Sequence, residues 1–244
     1  MKLLMPLRIA LFYLLLAVTA ALWTLPALLL APLLPYRWRF RLIINGWTRL
    51  AIGMARWVLG IRYRVIGLEN IPAQAGVVLA NHQSTWETFF LQRLFVPQTQ
   101  LLKRELLRIP FFGWVLALMK PIAIDRSNIR DSLNQLTRKG GQRLREGLWV
   151  LVFPEGTRMP PGQPVRFSRG GAALAVANQV PVIPVAHNAG ECWPRNSWGK
   201  RPGTITVMIG PPLLPNGSDS RAIGELNRAA EAWVNQALQR INAD

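Results

Sequence analysis

A chain of 244 residues is long enough for one sizeable core, and no composition change after residue 60 indicates a second folded domain. Its hydrophobic fraction of 50% is high for a soluble protein, but its mean hydropathy is too low for a bundle of membrane spans. The 29 Lys and Arg exceed the 12 Asp and Glu, and this net charge of +17 predicts a phosphate-bearing partner: nucleic acid, anionic lipid or a phosphorylated substrate.

The basic residues at the N-terminal end favour a lipid surface. The first acidic residue is Glu69, so residues 1–68 carry nine unopposed basic groups among long apolar stretches. Each Lys or Arg near an anionic bilayer contributes about 1 kcal/mol to binding. We therefore expect a membrane partner and no nucleic acid.

Residues 9–36 contain no charged side chain and predict a membrane-binding helix. Pro26, Pro32 and Pro35 are expected to break or kink this helix, so residues 9–25 are its longest uninterrupted part. A cleaved signal peptide is the alternative. It is disfavoured because the apolar sequence continues well beyond the small residues at which cleavage would occur.

Residues 41–59 have the pattern of a second, amphipathic helix. Arg41, Arg49 and Arg56 fall opposite its apolar half, although Ile52 lies among them. This pattern is typical of a helix in a membrane interface, and a helix packed on a protein core fits it nearly as well.

Basic residues flank the apolar stretch on both sides, so the positive-inside rule does not choose an orientation. A re-entrant helical pair with both ends in the cytoplasm satisfies both flanks. Residues 1–60 are therefore predicted to be membrane-binding helices at the cytoplasmic face of the inner membrane.

Residues 61–244 alternate short apolar runs with segments of helical period, which predicts one α/β domain with a mixed, largely parallel sheet flanked by helices. Ser127 can cap one helix, and Asp219 or Ser220 can cap the last. Ligands of such sheets gather at the carboxyl ends of the strands. The expected strands are residues 63–66, 76–80, 121–124, 149–153, 180–186 and 204–209.

Polar residues follow two of these strands, in segments 81–88 and 153–158. The first contains His82, whose neutral imidazole is suited to act as a general base towards a hydroxyl group. A carboxylate on the other ring nitrogen would fix its tautomer. The second histidine, His187, is a weaker candidate because only Glu191 lies near it in sequence.

Glu87 is the carboxylate expected to pair with His82. Five residues of regular helix would place the two side chains about 140° apart, so the pairing requires His82 on the loop before the helix. Ser84 as N-cap provides this arrangement, but it also allows a capping box in which Glu87 accepts a backbone amide instead. The spacing leaves both interpretations open.

Segment 81–88 resembles the first block of the glycerolipid acyltransferases, in which His, four residues and Asp form the catalytic pair. Segment 153–158, Phe-Pro-Glu-Gly-Thr-Arg, resembles the phosphate-binding block of that family. Five blocks in the order of the family cover roughly 40% of the chain. The other three are Lys103-Arg104-Glu105-Leu106 with Pro110 and Gly113, which resembles the block typical of 1-acylglycerol-3-phosphate acyltransferases, Ile124-Asp125-Arg126, and residues 180–185.

The resemblance implies direct acyl transfer from acyl-CoA or acyl carrier protein to the free hydroxyl of 1-acyl-glycerol-3-phosphate, with no metal and no cofactor. His82 would be the base, paired with Glu87. Arg158 would bind the acceptor phosphate, because a guanidinium matches it bidentately. Further residues implied in this phosphate site are Lys103, Arg126, Glu155, Gly156 and Thr157.

One residue departs from the family pattern, since Glu87 stands where the family usually has Asp. The extra methylene moves the carboxylate by about 1.5 Å, which requires another rotamer or a shifted helix start. Three other functions remain possible from sequence: acyl transfer to a different lysolipid, a thioesterase-like hydrolase, and a non-catalytic basic protein that binds lipid or nucleic acid.

Overall fold

A seven-stranded sheet forms the centre of the protein, as seen in a computed structural model that describes residues 4–109, 112–124, 129–195 and 198–243. The strands are β1 (Ile61–Ile66), β2 (Val77–Ala80), β3 (Gln98–Lys103), β4 (Ile122–Ile124), β5 (Trp149–Val152), β6 (Val182–His187) and β7 (Gly203–Ile209). Their spatial order is β1-β7-β6-β2-β5-β3-β4. All neighbouring pairs are parallel except β6 and β7, which confirms the predicted mixed, largely parallel sheet.

Helices cover both faces of this sheet. They are α1 (Met5–Leu30), α2 (Tyr36–Arg39), α3 (Gly46–Leu59), α4 (Trp86–Leu94), α5 (Phe112–Leu118), α6 (Ile129–Arg145), α7 (Gly170–Asn178), α8 (Ala189–Cys192) and α9 (Ser220–Ala243). Val77 and Leu79 of β2 pack on the side of α6, α7 and α9, whereas Val78 and Ala80 pack on the side of α1, α3 and α4. Because both faces are covered, the central strands read as continuous apolar runs.

Strand β3 is not predicted by the sequence pattern. Its sequence, Gln-Thr-Gln-Leu-Leu-Lys, lacks the apolar run that marks the other central strands. Gln98 and Gln100 border a cavity instead of a packed core, so the usual hydrophobic signal of a strand is missing there.

Helix α1 continues past Pro26, so the expectation that its uninterrupted part ends at residue 25 is wrong. A proline removes one hydrogen bond of the helix, and packing compensates here, since Ala27 is 3% exposed in a cluster with Ile43 and Met119. The helix ends in the short 3-10 turn Ala31–Leu33. Segment Met5–Leu33 has a mean hydropathy of 2.2 in its best window and is long and apolar enough to cross a membrane.

The N-terminal helices share a core with the sheet. Ile9 and Phe12 of α1 are 2% and 0% exposed, and they pack with Ile52, Ala55 and other buried residues of one cluster. The buried face of α3 therefore includes Ile52, on the side where the helical wheel places the arginines. This helix packs one face on the protein while leaving other apolar side chains exposed. The predicted boundary at residue 60 therefore lies between two segments that share one hydrophobic core.

The last helix begins as the sequence predicts. The Asp219 carboxylate accepts a hydrogen bond from the backbone N–H of Ala222 at 2.8 Å, so Asp219 caps α9. The predicted cap of α6, Ser127, lies outside the described residues.

Candidate active site

The loop between β2 and α4 brings His82 and Glu87 into contact. Nδ1 of His82 lies 2.7 Å from Oε1 of Glu87, and the helix begins only at Trp86, so His82 lies on the loop as the pairing requires. The same oxygen accepts the backbone N–H of Gln83 at 3.0 Å and of Ser84 at 2.8 Å. The histidine pair and the capping contact, which the spacing leaves as alternatives, therefore occur together.

Glu87 is an ionised group in a fully buried position, with 0% of its surface exposed. Burial would raise its pKa, but the imidazoles of His187 and His82 and the backbone N–H of Ser84 outweigh burial and hold the pKa below its ordinary value. A carboxylate in this state accepts the proton of Nδ1 in a hydrogen bond. In the neutral tautomer that this bond selects, Nε2 of His82 is the acceptor nitrogen.

The turn after β5 holds His82 from two sides. The ring of Phe153 stacks on the imidazole, with 4.1 Å between ring centroids and 17° between planes. The carbonyl of His82 accepts the backbone N–H of Met159 at 2.8 Å. Because β2 and β5 are adjacent parallel strands, their carboxyl ends bring the two predicted segments together.

Glu155 contacts the backbone of His82. Its Oε1 accepts the N–H of His82 at 3.1 Å, and burial, with a smaller contribution from Glu87, raises its pKa to about 7. This contact fixes the position of the His82 backbone. Gly156 has a φ of +73°, a left-handed conformation that favours glycine in this turn, and Thr157 beside it is exposed.

Arg158 lies at the edge of a cavity of about 340 Å³. The backbone N–H of the next residue, Met159, donates a hydrogen bond to the carbonyl of His82. Thr85, from the loop that carries His82, lines the same cavity. Of the other predicted phosphate ligands, Arg126 and the side chain of Lys103 lie outside the described residues. The cavity is walled mainly by α1, the π-helical segment Phe40–Asn45, α4 and β3, with further residues from α3 and α5. Its lining includes Trp23, Ala27, Ile43, Trp47, Phe89, Leu102, Val115 and Met119.

Comparison with known proteins assigns this arrangement to a family. A family model described as Acyltransferase matches residues 62–188. A 1-acyl-sn-glycerol-3-phosphate acyltransferase of Pseudomonas aeruginosa is 55% identical over 235 residues, which cover 96% of this chain and 91% of that protein. The chain belongs to the acyltransferase family.

More distant relatives agree with this assignment. A 1-acyl-sn-glycerol-3-phosphate acyltransferase of Saccharomyces cerevisiae is 35% identical over 75% of this chain and 62% of its own length. The crystal structure of the 1-acyl-sn-glycerophosphate (LPA) acyltransferase from Thermotoga maritima matches with a TM-score of 0.81 at 26% identity, over 99% of this chain and 96% of that one. The predicted family, enzyme class and fold are thereby confirmed.

His187 has a structural position in this acyltransferase. It is 0% exposed, its Nε2 lies 2.7 Å from the carbonyl of Asn81, and its Nδ1 accepts the N–H of Ala189 at 3.3 Å. Burial lowers the pKa of its imidazole, and the Glu87 carboxylate opposes this shift without cancelling it. With both ring nitrogens engaged by backbone, His187 does not compete with His82 as a base.

Asn81 belongs to this site although the sequence pattern gives it no predicted role. Its side chain donates to the carbonyl of His187 at 2.9 Å and accepts the N–H of His187 at 3.0 Å. These bonds join the ends of β2 and β6 directly before His82. The available signal was a polar amide at the end of an apolar strand, where an unpaired side chain would be costly.

Proposed function

We propose that this protein transfers a fatty acyl chain from a thioester donor to the free hydroxyl of 1-acyl-sn-glycerol-3-phosphate, forming phosphatidic acid. The observation that carries the proposal is the imidazole of His82, oriented by Glu87, on a loop whose Thr85 lines the same cavity as Arg158. The acceptor follows from the names of the relatives, which include the protein 55% identical to this chain.

In this mechanism His82 is the general base. Nε2 takes the proton of the acceptor hydroxyl while its oxygen attacks the thioester carbonyl carbon. The resulting intermediate collapses, the C–S bond breaks, and the thiolate leaves and recovers the proton from the imidazolium. Glu87 keeps the ring in the correct tautomer and stabilises its positive charge.

The acceptor phosphate and the hydrocarbon chain are assigned to different parts of this site. The guanidinium of Arg158 binds the acceptor phosphate, with Lys103 and Arg126 as further cations. The apolar cavity binds the hydrocarbon chain of the acyl donor, because the cavity walls are mainly aliphatic and aromatic side chains. Acyl-CoA and acyl carrier protein both supply a thioester, and neither reaction requires a cofactor.

The N-terminal helices hold the site at a bilayer. Leu22, Leu25 and Leu29 of α1 are 69%, 61% and 74% exposed, and Trp57 of α3 is 79% exposed. Apolar side chains at this exposure favour contact with lipid, and the unopposed basic residues of the N-terminal segment favour anionic headgroups. Because both thioester donors are cytoplasmic, we place the enzyme at the cytoplasmic face of the inner membrane.

An acceptor panel tests the proposed reaction. Membranes that contain the protein are incubated with labelled acyl-CoA and 1-acyl-glycerol-3-phosphate, glycerol-3-phosphate, a lyso-ornithine lipid, or no acceptor. We expect 1-acyl-glycerol-3-phosphate to react at least about tenfold faster than a lysolipid without phosphate, since charge-assisted hydrogen bonds to the phosphate are lost. Product is measured by thin-layer chromatography.

The variant Arg158→Gln is expected to raise KM for the acceptor with little change in kcat. The same substitution at the exposed Arg240 of α9 is the matched control. Preferred transfer to another acceptor, or release of free fatty acid in place of a lipid product, would contradict the proposal.

The membrane contact is tested by adding charge to the exposed face of α1. We expect the double variant Leu25→Asp and Leu29→Asp to stay in the supernatant when anionic phospholipid vesicles are pelleted. The reason is that each carboxylate placed in hydrocarbon costs about 2.5–3.5 kcal/mol. Leu214→Asp, at a residue 72% exposed on the connection between β7 and α9, is the control and should remain bound. Equal sedimentation of both proteins would refute this surface.

A further inference from the structure

Two glutamine side chains at the cavity have buried polar atoms without a hydrogen-bond partner among the described residues. Gln98 is 2% exposed, and neither its side-chain oxygen nor its nitrogen has a hydrogen bond within the described part of the chain. The side-chain oxygen of Gln100 is likewise buried and unpaired there. Both residues line the cavity.

The strand geometry directs these amides inward. Side chains alternate along a strand, so Gln98, Gln100 and Leu102 share one face of β3, and Leu102 also lines the cavity. Leu101 points the other way and packs against the core beneath α6, α7 and α9. The two amides therefore lie on the cavity side of the sheet.

The surroundings of Gln98 do not satisfy its amide. Among the described residues, the hydroxyl of Tyr36 donates to the backbone carbonyls of Gln98 (3.3 Å) and Met119 (2.8 Å) and to no side chain. Nearby side chains, among them Ala27, Ile43 and Met119, form an apolar cluster. Buried amides in proteins are paired with protein, water or a bound ligand, so these two require a partner that enters the cavity.

The register of the sheet gives the depth of each amide. Gln100 is level with Leu151 of β5 and hence with Val78 of β2, four residues before His82, and Gln98 lies two residues deeper. At about 3.3 Å per residue, these depths are about 13 Å and about 20 Å below His82. Strand β3 is two strands away from β2, which adds about 10 Å across the sheet. An extended hydrocarbon advances about 1.25 Å per carbon, so a straight chain that starts beside His82 reaches Gln100 near about carbon 13 and Gln98 near about carbon 18.

We infer that Gln98 and Gln100 form a polar subsite at the inner end of the cavity, which takes a hydroxyl group. This inference deepens the proposed acyl transfer and rests on it. The hydroxyl belongs either to water beyond the end of a shorter chain or to an acyl chain that is itself hydroxylated at that depth. A saturated chain long enough to pass the subsite displaces the water and leaves the amides unpaired.

The subsite is tested with the full-length protein in membranes and acyl-CoA donors of 10 to 18 carbons. The wild type is expected to use dodecanoyl-CoA at least about tenfold faster than octadecanoyl-CoA, because the longer chain leaves buried amides unpaired. Gln98→Met and Gln100→Met should reduce this preference severalfold. Gln239→Met makes the same change at an exposed residue of α9, on the opposite side of the sheet, and should preserve the preference.

A hydroxylated donor separates the two sources of the hydroxyl. We expect the wild type to prefer 18-hydroxyoctadecanoyl-CoA over octadecanoyl-CoA by about tenfold, and Gln98→Met to lose this preference. If the wild type prefers short donors but shows no preference for the hydroxylated donor, the hydroxyl group in the subsite is that of a water molecule.

The outcomes of the proposed function and of the subsite are distinguishable. A wild type that transfers no acyl chain contradicts the proposed reaction itself. A wild type that transfers all chain lengths equally and shows no hydroxyl preference overturns the subsite alone. These two wild-type measurements need no variant, so they decide the inference even where a substitution prevents folding.

Discussion

Replacing His82 with alanine is expected to lower kcat/KM for acyl transfer by about 10²- to 10⁴-fold, the range that general acid–base catalysis contributes. The ring is 15% exposed, and its only polar side-chain contact in the described residues is with Glu87. The backbone bonds to Glu155 and Met159 do not depend on the imidazole, so the loop should keep its conformation.

The measurement compares initial rates of wild type and His82→Ala in membranes, with thermal unfolding in detergent as the control for folding. A similar unfolding temperature with lost transfer supports a chemical role. If the variant kept wild-type activity, His82 could not be the base.

Glu87→Gln is expected to lower kcat by about 10²- to 10⁴-fold while KM for the acceptor changes little, since neutral glutamine neither fixes the tautomer nor stabilises the imidazolium. Its side-chain oxygen can still accept the backbone N–H groups of Gln83 and Ser84, so the start of α4 should persist. Steady-state rates over a range of acceptor concentration separate kcat from KM.

A double variant shows whether Glu87 acts through His82. When two residues work as a unit, their effects are strongly non-additive, so His82→Ala combined with Glu87→Gln should be no slower than His82→Ala alone. Glu87→Asp serves as the conservative comparison and should retain more activity than Glu87→Gln, because it keeps a carboxylate. Multiplicative losses in the double variant would show that the two residues act independently.

The contact between His82 and Glu87 could be predicted from their spacing only as one of two alternatives. Five residues of separation allow either a bond to the imidazole or a bond to backbone, and the sequence offers no means to choose. The folded loop makes the choice unnecessary, because one carboxylate oxygen accepts from the imidazole of His82 and the backbone of Gln83 and Ser84 at once. A carboxylate has several lone-pair positions, so local rules that assume a single partner underdetermine it.

Glu155 illustrates a different difficulty. Its place in the motif associates it with phosphate binding, yet in the fold its carboxylate accepts the N–H of His82 at 3.1 Å. The two residues are 73 positions apart. They are brought together because β2 and β5 are adjacent in the sheet. The local sequence of either segment does not specify which strand lies beside it.

The sequence by itself determined the family, the alternation of strands and helices, and the position of His82 after an apolar strand, because each depends on residues close together in the chain. The tertiary structure alone decided which face of α3 is buried, that β3 is a strand, and that a cavity adjoins the catalytic loop. These features arise where distant segments such as α1, β3 and α5 pack against each other. The polarity of Gln98 and Gln100 acquires its meaning only there, because burial and the lack of a partner are properties of the packed chain.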